Sequence, residues 1–241
     1  MTHWWDGDFV VFDTETTGKD YETAHIVTAF IGTVGPDGGE RDAWTHRIRP
    51  DIPIPEEATA VHGITNEMAQ YYAEPTFVLP GIVNALVLAL NQGLPIVAFN
   101  ARYDFTVLDR DCRRHGIPTL SEMTAGLIQP VLDPYVLDKS VDQYRRGKRT
   151  LTAMSAHYGV TLTDAHEASA DAIAAGHVGR AIIKSYKGLQ IPLERLHRAQ
   201  EIYAAQQALS LERFLRQKES DPSIRCEPQW PLVPHASEVL L

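Results

Sequence analysis

Two carboxylates stand two residues apart near the start of the chain, in Val10-Val11-Phe12-Asp13-Thr14-Glu15-Thr16-Thr17-Gly18. Val10, Val11 and Phe12 favour a strand, and an apolar run without polar alternation is the mark of a strand buried on both faces. Side chains at i and i+2 of a strand share a side, so Asp13 and Glu15 project together. Like charges at close range resist joint ionisation, and a divalent cation relieves that cost. Hard oxygen ligands suit magnesium or manganese. The alternative reading of this stretch alone is a strand end whose acids face water.

Two further segments carry chemically capable residues: Phe99-Asn100-Ala101-Arg102-Tyr103-Asp104-Phe105 and His166-Glu167-Ala168-Ser169-Ala170-Asp171-Ala172. Asp104 falls in the first turn of a helix that follows a strand. His166 precedes a helix and Asp171 sits inside it. Alone, each has an ordinary explanation: an acid at a helix N-terminus, a solvated helix face, a surface histidine. Together they come from strand and helix ends of the kind that meet at one edge of an α/β sheet, where ligands bind.

These elements are positioned by a chain that reads as follows. Strands are predicted at Phe9 to Asp13, Ala24 to Val34 and Arg41 to Ile48, joined by tight turns such as Gly35-Pro36-Asp37-Gly38-Gly39. Pro50 to Pro55 breaks the pattern. Helices follow at Glu56 to His62, Asn66 to Tyr71 and Thr76 to Asn91. A strand at Pro95 to Phe99 leads into a helix at Ala101 to His115, and a strand is expected at Ile128 to Leu132. Asp133 to Arg149 reads as loop and short helix, with Asp133 and Asp138 as loop acids. Helices are expected from Thr150 to Tyr158, Ala168 to Lys187 and Ile191 to Lys218. Beyond them Pro228, Pro231 and Pro234 mark an extended tail, disordered unless a partner orders it. Three antiparallel strands followed by alternating strands and helices predict an α/β fold, a mixed five-stranded sheet with helices on both faces.

The chain has 241 residues, a formal net charge of −9 and 44% hydrophobic residues, ordinary globular composition. The charge is uneven: residues 1–80 carry 14 acids against 4 bases. A protein that grips duplex DNA through its phosphates is usually basic, so any nucleic-acid handling here must use a local site with metal ions supplying positive charge. No signal peptide and no membrane span are read from the sequence, and the widely separated Cys112 and Cys226 read as free thiols in a reducing cytoplasm.

Phe-Asp-Thr-Glu-Thr-Thr-Gly, Phe-Asn-Ala-Arg-Tyr-Asp-Phe and His-Glu-Ala-Ser-Ala-Asp-Ala resemble, in order and spacing, the three motifs of the DnaQ-like (DEDDh) 3′→5′ exonucleases, whose best-known type is the proofreading subunit of bacterial replicative polymerase. Ala60-Val61-His62-Gly63-Ile64-Thr65 resembles a further family segment near the bound 3′ nucleotide. The resemblance spans about residues 8–186. It implies a ribonuclease H-like exonuclease domain at 1–186, with 187–241 a C-terminal helix and proline-containing tail of unassigned role. It implies that Asp13, Glu15, Asp104 and Asp171 bind two Mg²⁺ or Mn²⁺ ions and that His166 is the general base, the histidine standing five residues before the last aspartate.

Weaker expectations attach to Thr14, Thr16, Thr17 and His62 as contacts to a terminal nucleotide, to Phe105 as a residue stacking on its base, and to Arg145–Arg149 as an electrostatic track for a single strand. The expected function is hydrolysis from the 3′ end of single-stranded DNA in proofreading or repair. The alternatives are RNA trimming by the same chemistry, or a binding module that docks a DNA polymerase or other replication protein through residues 191–241.

Overall fold

The computed structural model describes residues 3–162 and 168–236. Five strands form one sheet: β1 (Phe9–Thr16), β2 (Ile26–Val34), β3 (Glu40–Arg47), β4 (Ile96–Val97) and β5 (Val131–Leu132). The order is β3-β2-β1-β4-β5. β1 pairs antiparallel with β2 and parallel with β4, and β4 pairs parallel with β5. This is the mixed α/β sheet expected from the sequence. β1 runs three residues beyond the predicted Asp13, because Thr14, Glu15 and Thr16 continue the ladder to Ala29, Thr28 and Ile26. Both carboxylates are thus inside a central strand.

The helices are α1 (Glu56–His62), α2 (Asn66–Ala69), α3 (Pro75–Asn91), α4 (Arg102–Arg114), α5 (Leu120–Met123), α6 (Pro134–Val141), α7 (Leu151–Tyr158), α8 (Ala168–Ser185) and α9 (Leu193–Glu219). α5 was not expected. It is a single turn fixed by a capping box, in which Thr119 and Glu122 each satisfy the other's backbone N–H.

Alternation along β1 sorts its side chains onto two cores. Val10 and Phe12 pack in a core with α3 and α4 residues such as Leu86 and Leu108. Phe9 and Val11 join the other, with Ala172, Ala175 and Val178 of α8. Period-two alternation therefore puts Asp13 and Glu15 on the α8 side of the sheet, and Thr14 and Thr16 on the α4 side. α8 lies unusually close to β1. A Cβ on Gly176 would meet Val11 Cγ1 at 2.7 Å, so only glycine lets the two backbones approach this nearly. That contact sits five residues after Asp171 and two before Asp13, and it sets the distance between the helix and the strand that carry them.

The C-terminal segment differs from its expectation. α9 packs into both cores, through Leu193 and Leu196 on one and Ala204 on the other. The tail is extended but docked. Trp230 and Val233 are buried, Arg102 Nε donates to Gln229 O at 2.7 Å, and Val233 N donates to Thr106 Oγ1 at 3.1 Å. Through residue 236, its apolar anchors and its backbone hydrogen bonds to α4 side chains hold it against the rest of the chain. No helix among the described residues is long and apolar enough to cross a membrane.

Candidate active site

Asp104 enters the site through the start of α4, and a single buried residue sets that start. Asp133 accepts the backbone N–H groups of Asn100 and Ala101, both at 3.0 Å, one on each carboxylate oxygen. It also caps α6 by accepting from Tyr135 N at 3.0 Å and takes the Trp230 indole N–H at 3.1 Å. Its own N–H donates to Gln200 Oε1 at 2.8 Å. Asp133 is therefore not a loop acid: it joins β5, α4, α6, α9 and the tail at one point. Asn100 takes a left-handed conformation, φ 61°, tolerated by asparagine better than by most side chains, and so turns the chain from β4 into α4.

Across the sheet, Thr14 holds Asp104. Its N–H and its hydroxyl both donate to Asp104 Oδ1, at 3.0 and 2.7 Å. Asp171, in the first turn of α8, approaches from the other side. Three carboxyls sense the crowding. Burial first, then Asp104, Glu15 and Asp171, push Asp13 well above the usual carboxylate range. Burial, then Asp171 and Asp104, raise Glu15 to about 8. Asp104 rises to about 7 through burial, with Asp133 adding to the rise and the Thr14 hydrogen bonds pulling the other way. Such a cluster is costly as anions and is relieved by cations, and oxygen-only donors fit magnesium or manganese. Among the described residues, no three of these four acids bring ligand oxygens within 4.8 Å of one another.

Beside the carboxylates lies a cleft of about 730 Å³, walled by Thr14 to Lys19, Pro55, Glu57, Val61, His62, Asn100 and Tyr103 among others, a size suited to a small-molecule or nucleotide ligand. Thr16 Oγ1 and Tyr103 Oη are 2.5 Å apart and both face the Gly18 carbonyl, so two hydroxyl protons are shared among three close oxygen contacts. Burial pushes the Tyr103 phenol up to about 12, which keeps it a neutral donor. Thr17 spends its N–H and hydroxyl on the backbone of His25, each at 2.9 Å. The three threonines thus line the cleft while their hydrogen bonds turn inward and shape it. His62 Nδ1 accepts from Ile64 N at 3.1 Å, which leaves the ring proton on Nε2. Burial lowers its pKa, against carbonyls of Thr16 and His62 itself that raise it, so the ring is neutral at neutral pH.

Two expectations are corrected. Phe105 is 2% exposed and packs edge-on against Phe12 with ring centroids 5.7 Å apart. It is a core residue on the inner face of α4 and offers no ring to a base. The basic cluster is largely spent internally. Asp138, also read as a loop acid, is fully buried; it pairs with Arg145 at 2.8 Å and with Arg149, and accepts from Tyr158 Oη at 2.7 Å. Arg146 and Lys148 are exposed. His166 lies outside the described residues. Tyr103 and Asn100 went unassigned in the sequence, and Asp133 was read there only as a loop acid. Two of them sit within four residues of Asp104, the one local signal that pointed to them, whereas Asp133 is 29 positions further along.

A five-stranded mixed sheet with acids on its central strand and flanking helix starts defines a ribonuclease H-like nuclease architecture. Residues 10–178 match the Exonuclease family, RNase_T, and the chain belongs to it. Its similarity to the DnaQ-like exonucleases extends to curated relatives. It is 27% identical over 177 residues to a PolC-type DNA polymerase III of Lacticaseibacillus paracasei, covering 73% of this chain and 11% of that protein. It is 30% identical over 188 residues to a DNA polymerase III subunit epsilon-like protein of Rhodobacter capsulatus, covering 74% of this chain and 24% of that one. The chain thus spans a quarter or less of either relative. Exonuclease X in complex with 5′ overhanging duplex DNA shares the fold, with a TM-score of 0.57 at 20% identity over 80% of this chain and 99% of that one.

Proposed function

We propose that the chain is a metal-dependent 3′→5′ exonuclease that removes nucleotides from single-stranded DNA ends, in proofreading or repair. The observation that carries this reading is the buried carboxylate group beside the cleft, in which Asp13 and Glu15 are each raised by burial and by Asp104 and Asp171. DNA is favoured over RNA because the relatives are DNA polymerase III proteins. A polymerase or other replication protein is the natural partner on the same ground.

Asp13, Glu15, Asp104 and Asp171 would hold two divalent ions, Mg²⁺ or Mn²⁺. When bound, such ions stabilise charge on both the attacking and the leaving oxygen of a phosphodiester. Thr14 holds Asp104 in register with β1, and Gly176 lets Asp171 close from α8. Tyr103 and Thr16 shape the rim against which a terminal nucleotide rests. His62 lines the cleft with its Nε2 buried and unpartnered, and a nucleotide that entered would give that ring N–H a phosphate or sugar oxygen to bond. His166 takes the proton from the attacking water, as its near-neutral intrinsic pKa allows. The P–O3′ bond breaks, and a nucleoside 5′-monophosphate leaves.

The test is a gel assay on 5′-labelled single-stranded DNA and matched RNA, with Mg²⁺ or EDTA, beside Asp104→Asn. A Mg²⁺-dependent ladder shortening from the 3′ end of DNA, absent in the variant, is the expected result. Faster shortening of RNA would overturn the substrate assignment. Equal activity in the variant would overturn the site. His166→Ala should slow turnover by about two to four orders of magnitude.

A further inference from the structure

The end of α4 remote from Asp104 carries a second cluster of a different chemistry. His115 caps the helix there. His25 precedes β2, and Asp51 lies in the segment after β3. One ligand atom from each of these three residues lies within 4.8 Å of the other two. Nδ1 of His25 and Nε2 of His115 are both buried and have no hydrogen-bond partner. His25 as a whole is 7% exposed. A buried imidazole nitrogen left unpaired is costly, and here two such nitrogens are gathered at one place beside a carboxylate.

We propose that His25, Asp51 and His115 form a transition-metal site, separate from the acidic cleft, that binds a zinc-class dication. Two imidazoles and one carboxylate select zinc or a neighbouring first-row ion over magnesium, which prefers oxygen ligands throughout. Zinc–nitrogen bonds of about 2.0–2.1 Å put tetrahedral ligands roughly 3.3 Å apart. His115 Nε2 and Asp51 Oδ2 are already at 3.4 Å. The remaining closure falls to Asp51, whose side chain is 53% exposed. That exposure also leaves the fourth position to water.

The surroundings are set for a cation. Asp111 Oδ1 is 3.8 Å from His25 Nδ1 and supplies a second negative charge. The C-terminal end of α4 adds the negative end of its dipole. The opposing charge is Arg114, which is engaged with Asp111 at 2.9 Å and with the carbonyls of Glu22 and Ala24. Bound metal would pin the start of β2 to α4 and to the 49–55 segment. His25 is bonded through its backbone to Thr17 on the cleft wall, so this clamp would brace that wall from behind.

The experiment titrates Zn²⁺ into the metal-stripped full chain in millimolar Mg²⁺, with bound zinc counted by elemental analysis and geometry read from Co²⁺ absorption. It is run in an Asp104→Asn background, which weakens the cleft, while the millimolar Mg²⁺ competes for the cleft acids that remain. The expected result is one zinc per chain with a tetrahedral Co²⁺ spectrum, and affinity at least about tenfold weaker in His115→Gln and in Asp51→Ala. Asp51 is exposed enough that its variant should fold, which its circular dichroism checks. Absence of zinc binding, or undiminished binding in both variants, would overturn the site.

Discussion

Replacing Glu15 by glutamine should stabilise the metal-free protein while abolishing the proposed metal-dependent activity. In the fold Glu15 is raised from 4.5 to about 8 by burial and by Asp171 and Asp104. Below about pH 4.5 the carboxyl is protonated whether the chain is folded or not, and it costs nothing. Between 4.5 and 8 the folded state keeps a proton that the unfolded state has shed. Stability therefore falls as pH rises through that window, and the full cost is reached above 8. At about 1.4 kcal/mol per pH unit the ceiling is ~5 kcal/mol. Glu15 is partly exposed, and solvent screening reduces this to an expected ~1–3 kcal/mol. For a domain of this size that corresponds to roughly 2–10 °C in Tm. The assay is thermal unfolding of wild type and Glu15→Gln in EDTA from pH 5 to 9, repeated with Mn²⁺. In EDTA the variant should match wild type at pH 5 and exceed it increasingly toward pH 9. Added Mn²⁺ should raise wild type more than the variant and so close or reverse the gap. A variant equal to or less stable than wild type throughout, or a difference independent of pH, would refute the claim that Glu15 is held against its own charge.

Thr14→Val removes the hydroxyl that donates to Asp104 Oδ1 at 2.7 Å and keeps the backbone bond. In the metal-free protein Asp104 should rise further above about 7, since a hydrogen bond to a charged group contributes ~1.5–3 kcal/mol, and near pH 7 the Mg²⁺ concentration needed for half-maximal activity should increase; an unchanged Mg²⁺ requirement would separate the Thr14 hydroxyl from the metal site. Trp230→Ala should cost ~3–5 kcal/mol in denaturant unfolding and lower activity as well, because Asp133 loses its indole partner at 3.1 Å and with it part of its hold on the start of α4. Unchanged stability would mean that the tail does not dock.

Much of this protein was legible locally. The α1 boundaries, Glu56–His62, follow from the prolines before it and Gly63 after it, which takes φ 75° as the helix stop. β1 was readable from its unbroken apolar run, and the side shared by Asp13 and Glu15 from strand periodicity alone. What short-range pattern could not supply was the fate of polar side chains that bond far along the chain. Asp133 and Asp138 look like loop acids because their partners are dispersed: Asn100, Gln200 and Trp230 for the first, Arg145, Arg149 and Tyr158 for the second. Phe105 is adjacent to a candidate ligand, yet successive helix positions point about a hundred degrees apart, and its direction is into the core.

Sequence by itself determined the types and order of the acids, the strand that pairs two of them, and the helix starts that carry the others, because capping, periodicity and turn chemistry act within a few residues. Tertiary structure decided how closely those pieces meet. The nearness of α8 to β1 rests on Gly176 facing Val11, the docking of the tail on Trp230 and Val233, and the gathering of His25, Asp51 and His115 on three segments brought together by the sheet and α4. Each is a packing distance between residues remote in sequence, and such distances are set by the whole core at once.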